Sequence, residues 1–209
     1  MVGRIITEEA DIDEGVKWLR ATEPRFAIAH KACPVLPLRR RDDGFEAVLS
    51  AITSQQLSVA SAGAIWARMD AAGMTNPANI LKASDDDLRA CGFSRQKILY
   101  AKDLAEADLD YIAMRELPND EVIAKLVAIR GIGTWTAEVY VMFSLGRADV
   151  FAPGDLALQE AARGLFNLNE RPNEKTLRKM AGNWSPWRSV AARLLWAYYH
   201  VVKNREGIR

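Results

Sequence analysis

The sequence predicts an all-α protein, built as a compact, two-lobed bundle of roughly ten helices. Apolar residues recur at helical spacing along the chain, and capping signals stand before several of these runs. No alternation of apolar and polar residues reaches the length of a convincing strand. The chain has 209 residues, 49% of them hydrophobic, which is enough to bury a sizeable core.

Apolar spacing and capping signals predict the helices of the first half. Two groups of apolar residues lie three and four positions apart: Ile12, Val16 and Leu19, then Phe45, Val48, Leu49 and Ile52. Asn76-Pro77 is typical of an N-cap followed by proline at the first helical position. Ser84 with Asp87 resembles a capping box, although glutamate is usual at its last position, and Gly92 is a suitable stop.

In the second half of the chain, apolar spacing predicts helices over residues 121–128, 134–145 and 156–166. A last helix is predicted from about Pro186 to Asn204. Ser185-Pro186 has the form of an N-cap followed by proline at the first helical position. Short linkers are predicted over Arg39–Asp43, Glu116–Asp120, Arg147–Gly154 and Asn167–Asn173. We therefore expect a single domain, 1–209, with one lobe of residues 40–145 and a second lobe formed by residues 1–39 and 146–209.

Charge is unevenly distributed along the chain. Residues 1–120 carry 15 basic and 19 acidic side chains, whereas residues 121–209 carry 13 basic and 8 acidic ones. This asymmetry is compatible with an anionic ligand on the C-terminal part, although charged runs more often mark a solvated face.

Cysteine and histidine usage argues against a metal centre built from side chains. Cys33 and Cys91 do not form a Cys-x-x-Cys pair, and two thiols cannot hold an iron–sulfur cluster. No apolar run approaches the roughly 18–20 residues needed to span a bilayer. The acidic start is atypical of a secretory signal, so we expect a cytoplasmic, nucleoid-associated protein that does not bind membranes.

Gly131-Ile132-Gly133 separates two helical runs and predicts a sharp hairpin. Glycine permits positive φ and the close approach of another backbone. The amides of Gly131, Gly133 and the helical turn that follows, which begins at Thr134, would form an anion site suited to a phosphate. The alternative is an ordinary connection between two helices, because a short Gly-x-Gly motif is weak by itself.

An acid follows a Pro-Gly pair at the start of the next helical run. Asp155 comes directly after Pro153-Gly154, where it would cap the helix and stabilise it by about 1 kcal/mol. The functional alternative is that its carboxylate faces a cleft.

Together these segments carry a family resemblance. Gly131-Ile132-Gly133-Thr134-Trp135-Thr136-Ala137, followed about twenty residues on by Pro153-Gly154-Asp155, resembles the signature of the HhH-GPD superfamily of DNA glycosylases. Ile52–Ser58 is similar to the family's DNA-wedge region, and Trp184–Ser189 through Trp196 is similar to its C-terminal segment. The resemblance covers roughly residues 40–200 and is strongest to the 3-methyladenine branch. Larger bacterial members carry an additional N-terminal β domain, so the likeness is to a compact form without it.

The resemblance assigns roles to individual residues. It implies that Asp155 is catalytic and that Trp135 and Trp196 line the pocket for the damaged base, with core packing as the alternative for both tryptophans. Gln56, together with Leu57, matches the position that fills the gap left by a flipped base. The alternative for this pair is a helix C-terminal turn with an exposed glutamine and Leu57 in the core.

The resemblance also implies a reaction. Members that cleave the strand place a lysine where this chain has Trp135, and that lysine attacks the sugar to form a Schiff base. We therefore expect a monofunctional glycosylase that uses water to hydrolyse the N-glycosidic bond of alkylated bases such as 3-methyladenine and 7-methylguanine, acting as a monomer on double-stranded DNA. The alternatives are a glycosylase for deaminated or etheno bases and a helix-hairpin-helix module that binds DNA without catalysis.

No cofactor is expected for catalysis. The family's hairpins often hold a monovalent cation through main-chain carbonyls, which by position would be those of Val127, Ile129 and Ile132. We expect such an ion to be structural.

Overall fold

The computed structural model of the protein describes residues 2–205, and it confirms the all-α class. Within this range there are thirteen α-helices, more than the predicted number because several have only four to seven residues. They are α1 (Glu9–Thr22), α2 (Phe26–Ala32), α3 (Phe45–Ser54), α4 (Val59–Ala71), α5 (Pro77–Lys82), α6 (Asp85–Ala90), α7 (Arg95–Glu106), α8 (Tyr111–Met114), α9 (Asn119–Val127), α10 (Thr134–Phe143), α11 (Leu156–Leu165), α12 (Glu174–Ala181) and α13 (Arg188–Arg205). A short 3-10 helix spans Gly182–Trp184.

The chain divides into two compact units. One comprises Arg41–Tyr140, and the other combines the residues up to Arg40 with those from Val141 onward. None of the helices described is long and apolar enough to cross a membrane.

In the unit formed by Arg41–Tyr140, α7 packs against α3, α5 and α6, and α3 also packs against α4. The buried side chains on these helices are apolar residues at helical spacing, including Leu49, Ile52, Ile80, Leu88, Ile98 and Leu104. Leu49 and Ile52 anchor α3, and Val122 and Leu126 are buried on α9, so the two helices that carry the predicted wedge and hairpin turns at their C-terminal ends are held by the core.

In the other unit, α13 packs against α1, α2 and α11. Trp184 lies in an aromatic core, stacked on Phe166 and edge-on to Phe26 and Phe151. Gly15 brings α1 close to α13, because a Cβ atom there would lie 2.7 Å from Val190 and 2.8 Å from the Trp187 ring. Trp184 and Trp187 of the C-terminal motif are therefore structural residues.

Most predicted capping signals are confirmed. Asn76 caps α5, which begins at proline, and Ser84 forms a reciprocal capping box with Asp87 at the start of α6. Gly92 follows the C-cap of α6 with a φ of +104°, a conformation that glycine adopts without strain.

The predicted N-cap at Ser185 is wrong. The Ser185–Pro186 peptide is cis, and α13 begins at Arg188 rather than Pro186. The Ser185 hydroxyl donates to the carboxylate of Asp149 at 2.8 Å instead of accepting a bond from a helix amide. The segment is thus part of a long-range contact, which local sequence patterns do not reveal.

Candidate functional site

The segment that leads to Asp155 is held by the start of α13. The backbone amide of Ser189 donates to Ala148, and its hydroxyl donates to the carbonyls of Arg147 and Val150. Ser189 is fully buried, so these bonds are shielded from water. The Trp-Ser-Pro-Trp-Arg-Ser motif therefore fixes the backbone that precedes the predicted catalytic acid.

An ion pair adds to this support. Arg188 forms two hydrogen bonds with the carboxylate of Asp149, at 2.6 Å and 3.0 Å, and Ser185 donates to the same group. Burial alone would raise the pKa of Asp149, but these hydrogen bonds outweigh it and hold the pKa below its usual value. Asp149 and Arg188 lie 39 positions apart, and no local sequence pattern indicates that they pair.

The loop directly before Asp155 is fixed by a buried amide. Gln159 lies one helical turn into α11, and its side-chain nitrogen donates to the carbonyl of Pro153 at 2.9 Å. The backbone amide of Asp155 donates to Ala152 at 3.1 Å. These bonds set the direction from which Asp155 enters the helix.

Asp155 is the N-cap of α11, as the helix-capping interpretation of this residue predicts. Its Oδ1 accepts the backbone amide of Leu158 at 3.0 Å and the indole N–H of Trp196 at 3.1 Å. The residue is half-buried, so the cap does not enclose the carboxylate in the core. The capping interpretation therefore does not exclude the catalytic one, which stays a prediction.

Trp196 is also half-buried, and Phe143 lies against it with ring centroids 5.8 Å apart and planes inclined by 31°. This placement differs from that of the fully packed Trp184. The structure brings two predicted site residues, Asp155 and Trp196, into direct contact. The hydrogen bond between them was not predicted, since spacing along the chain carries no information about it.

The hairpin has the geometry of a tight turn after α9. Gly131 has a φ of +91°, and a Cβ atom there would lie 2.3 Å from the Tyr100 ring, so only glycine fits. The carbonyl of Gly131 accepts the side-chain amide of Gln55 at 2.9 Å. The amide of Ile132 donates to Ile129 at 3.1 Å and closes the turn.

The second glycine of the hairpin faces open space. A Cβ atom on Gly133 would have no neighbour within 4 Å, and both Gly133 and Thr134 are exposed. Thr134 starts α10, and the first-turn amides of a helix have no acceptor within it. This end of the hairpin can accept an anion such as a phosphate.

Trp135 is 46% exposed, which rules out the core-packing alternative for this residue. Its position in the first turn of α10, directly after the hairpin, leaves much of the indole accessible. An exposed aromatic face of this kind can hold a planar, electron-poor ring.

The predicted wedge residues lie in the turn after α3. Gln56 has a φ of +58° and is exposed, and Leu57 is 40% exposed, so the alternative that buries Leu57 in the core is wrong. Lys97 donates to the carbonyl of Thr53 at the end of α3. Together with the bond from Gln55 to Gly131, this contact fixes a turn that presents two side chains to solvent.

The carbonyls predicted to bind a cation lie at the hairpin. Ile129 accepts the bond from Ile132, and a carbonyl retains capacity for a second ligand. Ile129 and Ile132 are buried, whereas Val127 is exposed. A cation here remains a prediction.

Two positioning residues were missed by the sequence analysis, Gln55 and Gln159. Each is a glutamine whose side-chain amide bonds to the backbone of a functional loop, the hairpin for Gln55 and the Pro-Gly segment for Gln159. The sequence offered one signal for each: Gln55 directly precedes the predicted wedge residue Gln56, and Gln159 lies in the helix that follows Asp155.

These features define a helix-hairpin-helix protein with a carboxylate carried on a Pro-Gly loop. The model of the HhH-GPD superfamily of base excision DNA repair proteins matches residues 49–186. The chain belongs to this superfamily, which confirms the resemblance seen in the sequence.

Relatives of the chain include DNA-3-methyladenine glycosylase 1 of Schizosaccharomyces pombe, 34% identical over 178 residues, which make up 81% of this chain and 78% of that protein. The crystal structure of a DNA-3-methyladenine glycosidase from Bacillus halodurans matches with a TM-score of 0.81 at 34% identity, over 91% of both chains. The 3-methyladenine DNA glycosylase of S. pombe in complex with abasic DNA matches with a TM-score of 0.76 at 30% identity, over 88% of this chain and 95% of that one.

Proposed function

We propose that this protein is a monofunctional DNA glycosylase that hydrolyses the N-glycosidic bond of alkylated bases. The observation that carries the proposal is the Asp155 carboxylate, held by Leu158 and Trp196 at the start of α11, in a chain similar to proteins named 3-methyladenine glycosylases. The protein acts as a monomer on double-stranded DNA and needs no catalytic metal.

The hairpin supplies contact with the DNA backbone. Gly133 and Thr134 are exposed at the start of α10, where backbone amides and the helix dipole favour a phosphate. Such contacts position a duplex without reading its sequence. A similar structure, that of the S. pombe enzyme, was solved with abasic DNA, which supports DNA as the partner.

The turn after α3 supplies the wedge. A base inside the stack is out of reach of any catalytic group, so it must be flipped out of the duplex. Gln56 and Leu57 are exposed on a fixed turn, and their side chains fill the gap that the flipped base leaves. The family resemblance assigns contact with the extruded base to Trp135, which is exposed, and to Trp196, which is half-buried.

Asp155 provides the chemistry. As the bond between C1′ and the base nitrogen breaks, its electron pair leaves with the base and positive charge develops on the sugar. An ionised carboxylate stabilises this oxocarbenium character and orients the water that attacks C1′. A cationic alkylated base leaves as a neutral molecule, so one carboxylate suffices.

The residue after Thr134 limits the reaction to base removal. Trp135 has no amine and cannot form a Schiff base with the sugar, the step that leads to strand cleavage. Borohydride should therefore trap no covalent adduct between the protein and damaged DNA.

The test is release of free methylated base from methylated duplex DNA. Asp155→Asn keeps an acceptor for Leu158 and Trp196 but removes the charge, and we expect a loss of at least about a hundredfold in rate. DNA affinity should stay within a few-fold of wild type. Glu160→Gln, a matched change on the same helix, should leave the rate unchanged.

Wild-type protein that binds DNA but releases no base would instead support a non-catalytic DNA-binding module. Full activity of Asp155→Asn would contradict the role assigned to this carboxylate.

A further inference from the structure

Two consecutive arginines, Arg39 and Arg40, belong to the unit that carries Asp155, and the proposed function gives them no role. Both side chains are exposed. Neither side chain forms a hydrogen bond or an ion pair in the part of the chain that the structure describes. Their guanidinium groups therefore retain their N–H donors for another partner.

Most other arginines of this unit are paired with a carboxylate. The ion pairs are those of Arg4 with Asp11 and Glu14, Arg25 with Glu23, Arg163 and Arg171 with Glu160, Arg178 with Glu174, and Arg188 with Asp149. Arg39 and Arg40 depart from this pattern, since neither has such a partner within residues 2–205. The positive charge at this position is thus not neutralised by a contacting carboxylate.

A third arginine, Arg193 on α13, lies buried next to this pair. Only 4% of the residue is exposed, and its guanidinium donates to the carbonyl of Leu38 at 3.3 Å. Burial lowers the pKa of Arg193 to about 10, and the nearby charges of Arg39 and Arg40 add to this effect. Arg193 remains protonated at neutral pH. We call Arg39, Arg40 and Arg193 the basic cluster.

The backbone and side chains of the basic cluster are fixed. The bond from Arg193 holds Leu38, which directly precedes Arg39. Arg40 lies against Gly146, where a Cβ atom would come within 1.7 Å of its Nη1. Arg39 has a φ of +49°, a conformation that residues other than glycine rarely adopt and that is more common at functional sites. Such a prearranged pair of cations binds an anion with a smaller loss of side-chain entropy.

Aromatic contacts relate the basic cluster to the candidate site. The guanidinium carbon of Arg193 is 4.7 Å from the centroid of the Phe143 ring, and Phe143 lies against Trp196. The Phe143 ring therefore stands between Arg193 and Trp196, which donates to Asp155. Duplex DNA carries one negative charge per about 1.7 Å of its axis, so a duplex bound at Asp155 also presents phosphates to the surface nearby.

We infer that Arg39 and Arg40 form a second contact surface for the DNA backbone, with Arg193 as a fixed charge behind them. This inference rests on the proposed function, because duplex DNA is the partner in both. Each guanidinium presents a planar set of donors that matches two phosphate oxygens. The hairpin belongs to the unit formed by Arg41–Tyr140, so each of the two units supplies its own phosphate contact.

The test is the salt dependence of DNA binding. Binding of cations to phosphates releases counterions, so the logarithm of the association constant falls linearly with the logarithm of the salt concentration. Fluorescence anisotropy of a labelled duplex with an abasic-site analogue, recorded between about 50 and 200 mM NaCl, gives this slope. Arg39→Gln and Arg40→Gln should each reduce its magnitude by about 1 and weaken binding several-fold.

Two further variants separate phosphate contact from other effects. Arg40→Lys keeps the charge beside Gly146 and should retain the wild-type slope. Arg20→Gln is the matched control, because Arg20 is an exposed arginine of the same unit, in the last turn of α1, without an ion pair in the described range. It removes the same charge and should leave the slope unchanged. Urea unfolding of each variant verifies that it is folded.

An unchanged slope in folded Arg39→Gln or Arg40→Gln would overturn the inference. An equal reduction in Arg20→Gln would do the same, since net charge alone would then account for the effect. A reduced slope in Arg40→Lys would show that Arg40 acts through packing on Gly146 rather than through its charge, which also contradicts the inference. Wild-type protein that failed to bind the duplex at any of these salt concentrations would instead contradict the proposed function, which is a distinct result.

Discussion

The indole N–H of Trp196 donates to Oδ1 of Asp155 at 3.1 Å, on the oxygen that also accepts the backbone amide of Leu158. Two donors from different helices therefore fix one carboxylate. Trp196 was predicted to line the base pocket, and this hydrogen bond would also position the carboxylate that we propose to be catalytic.

Trp196→Phe separates these two roles. The variant keeps an aromatic face but loses the N–H donor, so we expect the single-turnover rate of base release to fall about tenfold while affinity for damaged DNA changes little. Trp196→Ala should lower both. A wild-type rate in Trp196→Phe would show that the hydrogen bond does not orient Asp155 for the reaction.

The two hairpin glycines should respond differently to alanine. Gly131→Ala places a methyl group against Tyr100 at a positive φ, so we expect a loss of stability of about 2 kcal/mol or more in urea unfolding. Gly133→Ala meets no neighbouring atom and should unfold like wild type, yet it should bind duplex DNA several-fold more weakly because the methyl group obstructs a phosphate. Unaltered DNA affinity in the folded Gly133→Ala protein would remove the hairpin from the DNA interface.

Gln55 connects the hairpin to the wedge turn through its bond to Gly131. Gln55→Met keeps a similar volume without the donor. We expect base flipping to slow by about three- to tenfold, consistent with loss of about 1 kcal/mol. The fluorescence of a 2-aminopurine placed next to the lesion measures this rate. Excision from single-stranded DNA should be unaffected, since no duplex gap has to be filled. An equal loss on both substrates would indicate a general loss of folding instead.

The predicted elements that are confirmed share a local origin. Capping at Asn76 and Ser84, the stop at Gly92 and the positive φ at Gly131 each depend on a few neighbouring residues. Local hydrogen bonds and backbone sterics determine such features. The sequence pattern therefore located them to within one or two residues.

What the sequence could not predict depends on residues far apart in the chain. Ser185 bonds to Asp149 across 36 positions instead of capping α13, and Gln55 reaches Gly131 across 76. The exposure of Leu57 likewise follows from how the turn after α3 is held. Family resemblance gave the position of Asp155 but not its bond to Trp196.

The ion pair between Asp149 and Arg188 predicts an acid-sensitive contribution to stability. Although burial opposes it, hydrogen bonds from Arg188 and Ser185 lower the pKa of Asp149 in the folded state. A carboxyl group with a lowered pKa stabilises the fold fully above its unfolded pKa of about 3.9, and that stabilisation is lost as the pH falls below this value. Asp149→Asn should thus be less stable than wild type by about 1 kcal/mol at pH 7.

This difference should shrink as the pH falls from 4.5 toward 3, since the wild-type carboxyl group becomes protonated. Urea unfolding of both proteins at pH 7, 4.5 and 3 measures it directly. Asp13→Asn is the control, because Asp13 is exposed. This substitution should change the free energy of unfolding by less than about 0.5 kcal/mol. A constant difference between Asp149→Asn and wild type at all three pH values would mean that the ionised form of Asp149 does not stabilise the fold.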